Sequence, residues 1–120
     1  MVVLSNSFAR GGRPGGDQRG NAAARRARKG YLLTLWGDGS TVPCIYCGHS
    51  LVSATLEADR IIAGSCGGSY RRENIIPACR SCNASRGDRS IWSFSPRVAR
   101  RLKRMGFVVS AKPVAAGRIA

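Results

Sequence analysis

Residues 44–88 read CIYCGHSLVSATLEADRIIAGSCGGSYRRENIIPACRSCNASRGD, and the reading of this stretch decides the fold. Two Cys-x-x-Cys pairs bracket it, Cys44/Cys47 and Cys79/Cys82. Between them stand two acids, Glu57 and Asp59, in an otherwise very basic chain. Asn83 and Arg86 follow the second pair, one helical turn apart. Four thiolates in two such pairs suit tetrahedral Zn²⁺ and leave no coordination position open, so the site reads as structural. The gap between the pairs is longer than in common zinc ribbons. It must hold a structured insert, and any chemistry would sit there. His49 lies beside Cys47 but is redundant once four sulfurs bind.

Within the insert, Gly48 permits a tight knuckle after Cys47. Residues 55–63 alternate enough for a strand, and 64–73 form a loop around Gly67 and Gly68. Asn74, Ile75 and Ile76 look like a short return strand that Pro77 ends. A helix should then start at Cys79 and run to about Asp88, where exposed N–H groups and the helix dipole favour thiolates.

Outside the insert, Asn21 can cap a helix that Gly37 ends. Ala24, Ala27, Tyr31 and Leu35 share one face of it, joined by Leu32, while Arg25, Arg26, Arg28 and Lys29 fall largely elsewhere. That pattern predicts an apolar side docked on the core and a basic side turned outward. Trp92 and Phe94 read as core packing rather than base stacking. Ser95 and Pro96 are a helix start, with Ser as N-cap and Pro in the first turn. Val98, Leu102 and Met105 make its apolar stripe, Arg97, Arg100, Arg101, Lys103 and Arg104 make the rest cationic, and Gly106 closes it. Such a helix suits a duplex backbone.

The chain has 120 residues with 20 Lys and Arg against 6 Asp and Glu, a formal net charge of +14. Arg greatly outnumbers Lys, and its forked guanidinium suits phosphate oxygens. The balance implies a polyanionic partner, nucleic acid before anionic membrane. No apolar run reaches the roughly 18 residues that span a membrane, and the N-terminus has no apolar leader core. The expected location is therefore the cytoplasm, where reduced Cys-x-x-Cys pairs serve metal rather than disulfides. Residues 1–20 are Gly- and Arg-rich and read as a disordered arm, and residues 107–120 as a tail without signal. Cys66 is a loop thiol with no assigned task.

The order and spacing of Cys44-x-x-Cys47-Gly48, Leu56-Glu57-x-Asp59-Arg60-Ile61-Ile62, Gly67-Gly68 and Asn74-x-x-Pro77-x-Cys79-x-x-Cys82-Asn83-x-x-Arg86-Gly87 resemble the HNH endonucleases, the ββα-metal nucleases, in their four-cysteine zinc variety. The resemblance implies a small α+β fold, with a ββα-metal core flanked by N- and C-terminal basic helices. The nuclease domain would occupy residues 21–106, with its motif core at 44–88. It also implies that Asp59 and Asn83 hold a catalytic Mg²⁺ or Mn²⁺, that Asn74 braces the loop, and that Arg86 contacts phosphate near the cut. The implied activity is metal-dependent hydrolysis of double-stranded DNA, in a phage-encoded protein of the host cytoplasm, with a phage terminase as a suggested partner. No small-molecule substrate is expected.

A carboxylate and an amide oxygen do suit a hard cation that keeps open positions for water and phosphate. One position departs from the family pattern. The general-base His expected after the metal-ligand Asp is Arg60 here. A guanidinium has no basic nitrogen at physiological pH, although it can stabilise a charged transition state. The base must come from Tyr70, His49 or Glu57, or from metal-bound hydroxide. Two other readings compete: a zinc-stapled DNA-binding protein that does not cut, and a zinc-ribbon protein that binds RNA or the ribosome.

Overall fold

The computed structural model describes residues 20–110, so most of the arm expected at 1–20 and the end of the tail lie outside the described residues. Helix α1 spans Ala22–Trp36, capped as expected by Asn21, whose Oδ1 accepts from the Ala24 N–H at 2.9 Å. Gly37 follows its last turn. Strand β1 (Val42–Pro43) pairs antiparallel with β2 (Ser50–Leu51), and between them the chain turns through the first cysteine pair. Gly48 has φ +81° there, a conformation that L side chains rarely adopt.

Strand β3 (Leu56–Arg60) pairs antiparallel with β4 (Ile75–Cys79), from Leu56 opposite Cys79 to Arg60 opposite Ile75. The connection holds two short 3₁₀ turns, Gly64–Cys66 and Arg72–Asn74. Pro77 does not end β4; it pairs with Ala58 in the middle of the strand. A two-stranded ribbon has only edges, and an edge strand tolerates a residue without an N–H. The Pro77 carbonyl instead accepts from the Ile45 N–H at 2.9 Å and ties the hairpin to the knuckle.

Helix α2 (Arg80–Arg86) follows β4 directly, then α3 (Ile91–Phe94) and α4 (Pro96–Arg104). Ser95 caps α4 through its hydroxyl, with Pro96 in the first turn. The result is the expected small α+β fold: two antiparallel ribbons, four helices among the described residues, and a four-cysteine cluster.

The β3–β4 hairpin is covered on both sides, which is why β4 is buried along most of its length. Ile75 joins Leu32, Leu33, Val42, Leu51 and Leu56 in a core under α1. Ile76, next in the chain and therefore facing the other way, joins Ile45, Ile61, Trp92, Val98 and Leu102 under α3 and α4. Each such aliphatic side chain contributes about 1.5–3 kcal/mol when fully buried.

The helix faces differ from expectation in detail. On α1 the buried residues are Arg28, Leu32 and Leu33, whereas Leu35 is 65% exposed. On α4 Ala99 takes the place expected of Met105, which is 51% exposed beyond the last turn. Trp92 is core, as expected, and its indole N–H donates to the Ser110 carbonyl at 2.7 Å. Phe94 meets the Tyr46 ring edge-on at 5.0 Å.

Candidate metal centre and catalytic groove

Pairing Leu56 with Cys79 brings the start of α2 to the first cysteine knuckle. The sulfurs of Cys44, Cys47, Cys79 and Cys82 all lie within 4.8 Å of one another. Zn–S bonds of about 2.3 Å fit such a cluster. The surrounding backbone suits thiolates: Cys79 N–H donates to Cys44 Sγ and Cys82 N–H to Cys79 Sγ, each at 3.4 Å. Burial pushes the Cys44 thiol up, but backbone N–H groups of Cys47, Cys79 and Tyr46 outweigh it and bring the thiol down to about 7. Desolvation and its neighbouring sulfurs push Cys82 up. A cation at the centre of the four sulfurs is the counter-charge the cluster calls for. Among the described residues this is the one group of Cys, His, Asp and Glu that could hold a metal through three or more side chains. Cys66 stands apart in a 3₁₀ turn.

The other half of α2 meets the two acids of β3. Asn83 Nδ2 donates to Glu57 Oε1 at 2.7 Å, and Arg86 Nη1 donates to Asp59 Oδ1 at 2.8 Å. Two residues apart on a strand and three apart on a helix are the spacings that put each pair on one face, so the contacts form two rungs.

The lower rung is buried, with Asp59 at 5% exposure and Arg86 at 2%. Arg86 places three more of its five N–H donors on carbonyls: Nε on Arg89, Nη1 on Arg60 and Nη2 on Ile61 at 3.0 Å. Most of its guanidinium is committed inside the protein, holding the end of β3 to α2, although Arg86 also lines the groove described below. Asp59 Oδ2 in turn accepts from the Tyr46 hydroxyl at 2.5 Å. Burial raises the Asp59 carboxyl above the usual carboxylate range, against the opposing pull of Arg86 and Tyr46.

Asp59 and Asn83 line the same groove, a cavity of about 230 Å³ that Arg60, Tyr70 and Asp88 also reach. Arg60 lies over the Tyr70 ring at 4.3 Å from the centroid, with Arg28 of α1 at 4.5 Å from it. His49 is exposed in the knuckle turn before β2 and is not among the residues lining this groove. Asn74 closes the loop behind it. Its Oδ1 accepts from Ile62 N–H at 2.9 Å, and its Nδ2 donates to the carbonyls of Ile62 and Ser69 at 3.1 and 2.8 Å. Gly68 is required there, because a Cβ would lie 1.6 Å from the Ile62 carbonyl oxygen.

Sequence reasoning missed Tyr46, the hydroxyl partner of Asp59. Its position between the zinc cysteines hid it as a knuckle residue. It also missed that Asn83 addresses Glu57, although the matched spacings carried that signal.

A β-hairpin running into a helix, with a thiolate cluster at their junction, is a ββα arrangement with a candidate metal site. Residues 44–95 match the family model described as HNH endonuclease, which points to a nuclease-type domain over that segment at the level of the family. No curated protein and no solved structure matches the chain. No described helix is long and apolar enough to cross a membrane.

Proposed function

We propose that the protein is a metal-dependent DNA endonuclease whose cutting site is the groove beside Asp59 and Asn83. The observation that carries the reading is that these two side chains, one from β3 and one from α2, line one open groove together with Arg60 and Tyr70. A carboxylate with an amide oxygen is the donor set of Mg²⁺ or Mn²⁺, and such an ion, when bound, polarises a phosphoryl oxygen and stabilises the leaving oxygen. Asp59 and Asn83 would hold it. An ionised carboxylate has about four lone-pair sites, so the bonds from Tyr46 and Arg86 leave Asp59 capacity for a cation.

The protein's own groups divide the remaining work. Arg60, held against Tyr70, places a fixed positive charge where the pentavalent phosphate develops negative charge. It supplies the phosphate contact for which most of the Arg86 donors are already committed. The proton acceptor is Glu57 or Tyr70, since both border the open space next to Asn83 and His49 does not. Asn74 keeps the loop that carries Tyr70 against the end of β3. The +14 charge supports a nucleic-acid substrate, and phage origin with a terminase partner is the setting that the domain type suggests.

One observation favours a second reading, a DNA-binding protein that does not cut: both Asp59 oxygens already have protein donors. Plasmid nicking with added Mg²⁺ or Mn²⁺ separates the two. The wild type is expected to nick, Asn83→Ala to lose at least about a hundredfold, and Arg60→His to retain or gain activity. Glu57→Gln and Tyr70→Phe identify the proton acceptor by which of them is silent. Nicking by Asn83→Ala at the wild-type rate, with the fold intact by circular dichroism, would remove the metal assignment.

A further inference from the structure

A larger cavity, about 280 Å³, opens between α1 and the β3–α2 layer. Arg25, Arg28 and Lys29 of α1 form one wall, and Glu57, Tyr70 and Asn83 stand opposite. Because Ala58, Tyr70 and Asn83 line both cavities, the space adjoins the groove at Asp59. Arg25, Arg28 and Lys29 are three and four residues apart, so they project from one side of the helix. Arg28 is buried at the edge of this side and Arg25 is exposed on it, and the fold turns the side toward the candidate site.

The chemistry of the space is one-sided. Three cations face a single acid, Glu57, whose Oε1 is held by the Asn83 amide. Arg28 is buried and lies over the Tyr70 ring, where it stiffens the wall. Arg25 and Lys29 reach main-chain carbonyls at exposed positions, Gly20 at 3.0 Å and Ser53 at 2.8 Å. These are solvent-side bonds to neutral acceptors, and a phosphate offers a charged one in their place, which binds about twice as strongly. A cationic space beside Asn83 that adjoins the groove at Asp59 suits phosphodiester better than a neutral ligand.

We infer that α1, which lies outside the matched segment 44–95, is the second wall of the nucleic-acid groove, with Arg25 and Lys29 contacting DNA backbone phosphates that flank the one at Asn83. The inference rests on the nuclease reading and adds to it the residues that hold the strand rather than cut it. Helix α4 is the natural comparison. It is more densely cationic, but none of its residues lines either cavity, and two of its arginines serve the fold: Arg97 donates to the Tyr46 carbonyl and Arg101 lies over Trp36.

The test is fluorescence anisotropy of a labelled DNA duplex against the full zinc-loaded chain, without Mg²⁺ or Mn²⁺, across a series of NaCl concentrations. Three proteins are compared: wild type, Arg25→Gln/Lys29→Gln and Arg100→Gln/Lys103→Gln. Each lost phosphate contact lowers the slope of log K on log salt by about 0.9, or roughly tenfold in affinity at 0.1 M salt. The α1 variant is expected to lose about 1.8 in slope and the α4 variant clearly less. A wild-type slope in the α1 variant, or equal losses in both, overturns the inference while wild-type nicking leaves the nuclease reading standing. A wild type that neither binds nor nicks removes both.

Discussion

The two donor clusters on α2 differ in how far the protein satisfies them without a metal. At its N-terminus four sulfurs converge within 4.8 Å and receive only weak backbone N–H contacts. Along its next turn two carboxylates are already matched, Glu57 by an amide and Asp59 by a guanidinium and a phenol. The first cluster is an incomplete structure that an ion completes. The second holds its shape from its own bonds, so the ion proposed there would add chemistry rather than architecture.

The strongest way to break that contrast is to remove the metals separately. Stripping zinc with a tight chelator is expected to abolish cooperative unfolding, because structural zinc contributes about 10–16 kcal/mol of apparent binding free energy. A domain this size has only about 5–15 kcal/mol of total stability to lose. Withholding Mg²⁺ and Mn²⁺ from zinc-loaded protein should leave the melting temperature where it was. Since thiols must deprotonate to bind, zinc affinity should fall as the pH drops. A chelated protein that still melts cooperatively at the same temperature would make the thiolate cluster ornamental.

A smaller effect sharpens the other half. Asp59→Ala leaves Arg86 charged and buried beside an empty position, which costs about 3–5 kcal/mol. Asp59→Asn keeps an acceptor for the guanidinium and should cost clearly less by urea denaturation. Loss of nicking in Asp59→Ala is therefore ambiguous between chemistry and folding. Loss in a well-folded Asp59→Asn is not. Equal stability of the two variants would show that the buried pair does not hold α2 to β3.

What the chain discloses by itself follows the same division. The thiolate cluster was legible because its ligands sit at fixed local spacings, and the helices were legible from Asn21, Gly37, Ser95 and Pro96. The hairpin was legible, but not its length, because Pro77 normally stops a strand and here lies in a ribbon that has only edges. The groove was half legible. Asp59 and Asn83 could be singled out as oxygen donors, but burial decides what a charged side chain does, and burial is set by distant partners. Arg86 reads as a phosphate contact from its helix position, and nothing local shows that the carbonyls of Arg60, Ile61 and Arg89 bind most of its donors. Arg28 looked like solvent-facing charge until Tyr70, 42 positions away, gave it a surface to lie on.

The smallest expected effect marks the boundary between the two clusters. His49 is the chain's one histidine and the residue type that most often serves as a general base. Its side chain is exposed, and its contribution to the knuckle is a backbone carbonyl that accepts from Cys44 N–H at 2.8 Å. Alanine retains that carbonyl. His49→Ala should therefore shift stability by no more than about 0.5 kcal/mol, as for surface substitutions generally, and leave the nicking rate near wild type across pH 6–8. A large loss of nicking in a well-folded His49→Ala would mean the thiolate end of α2 supplies the proton acceptor after all. The two clusters would then be one catalytic unit instead of a scaffold beside a site.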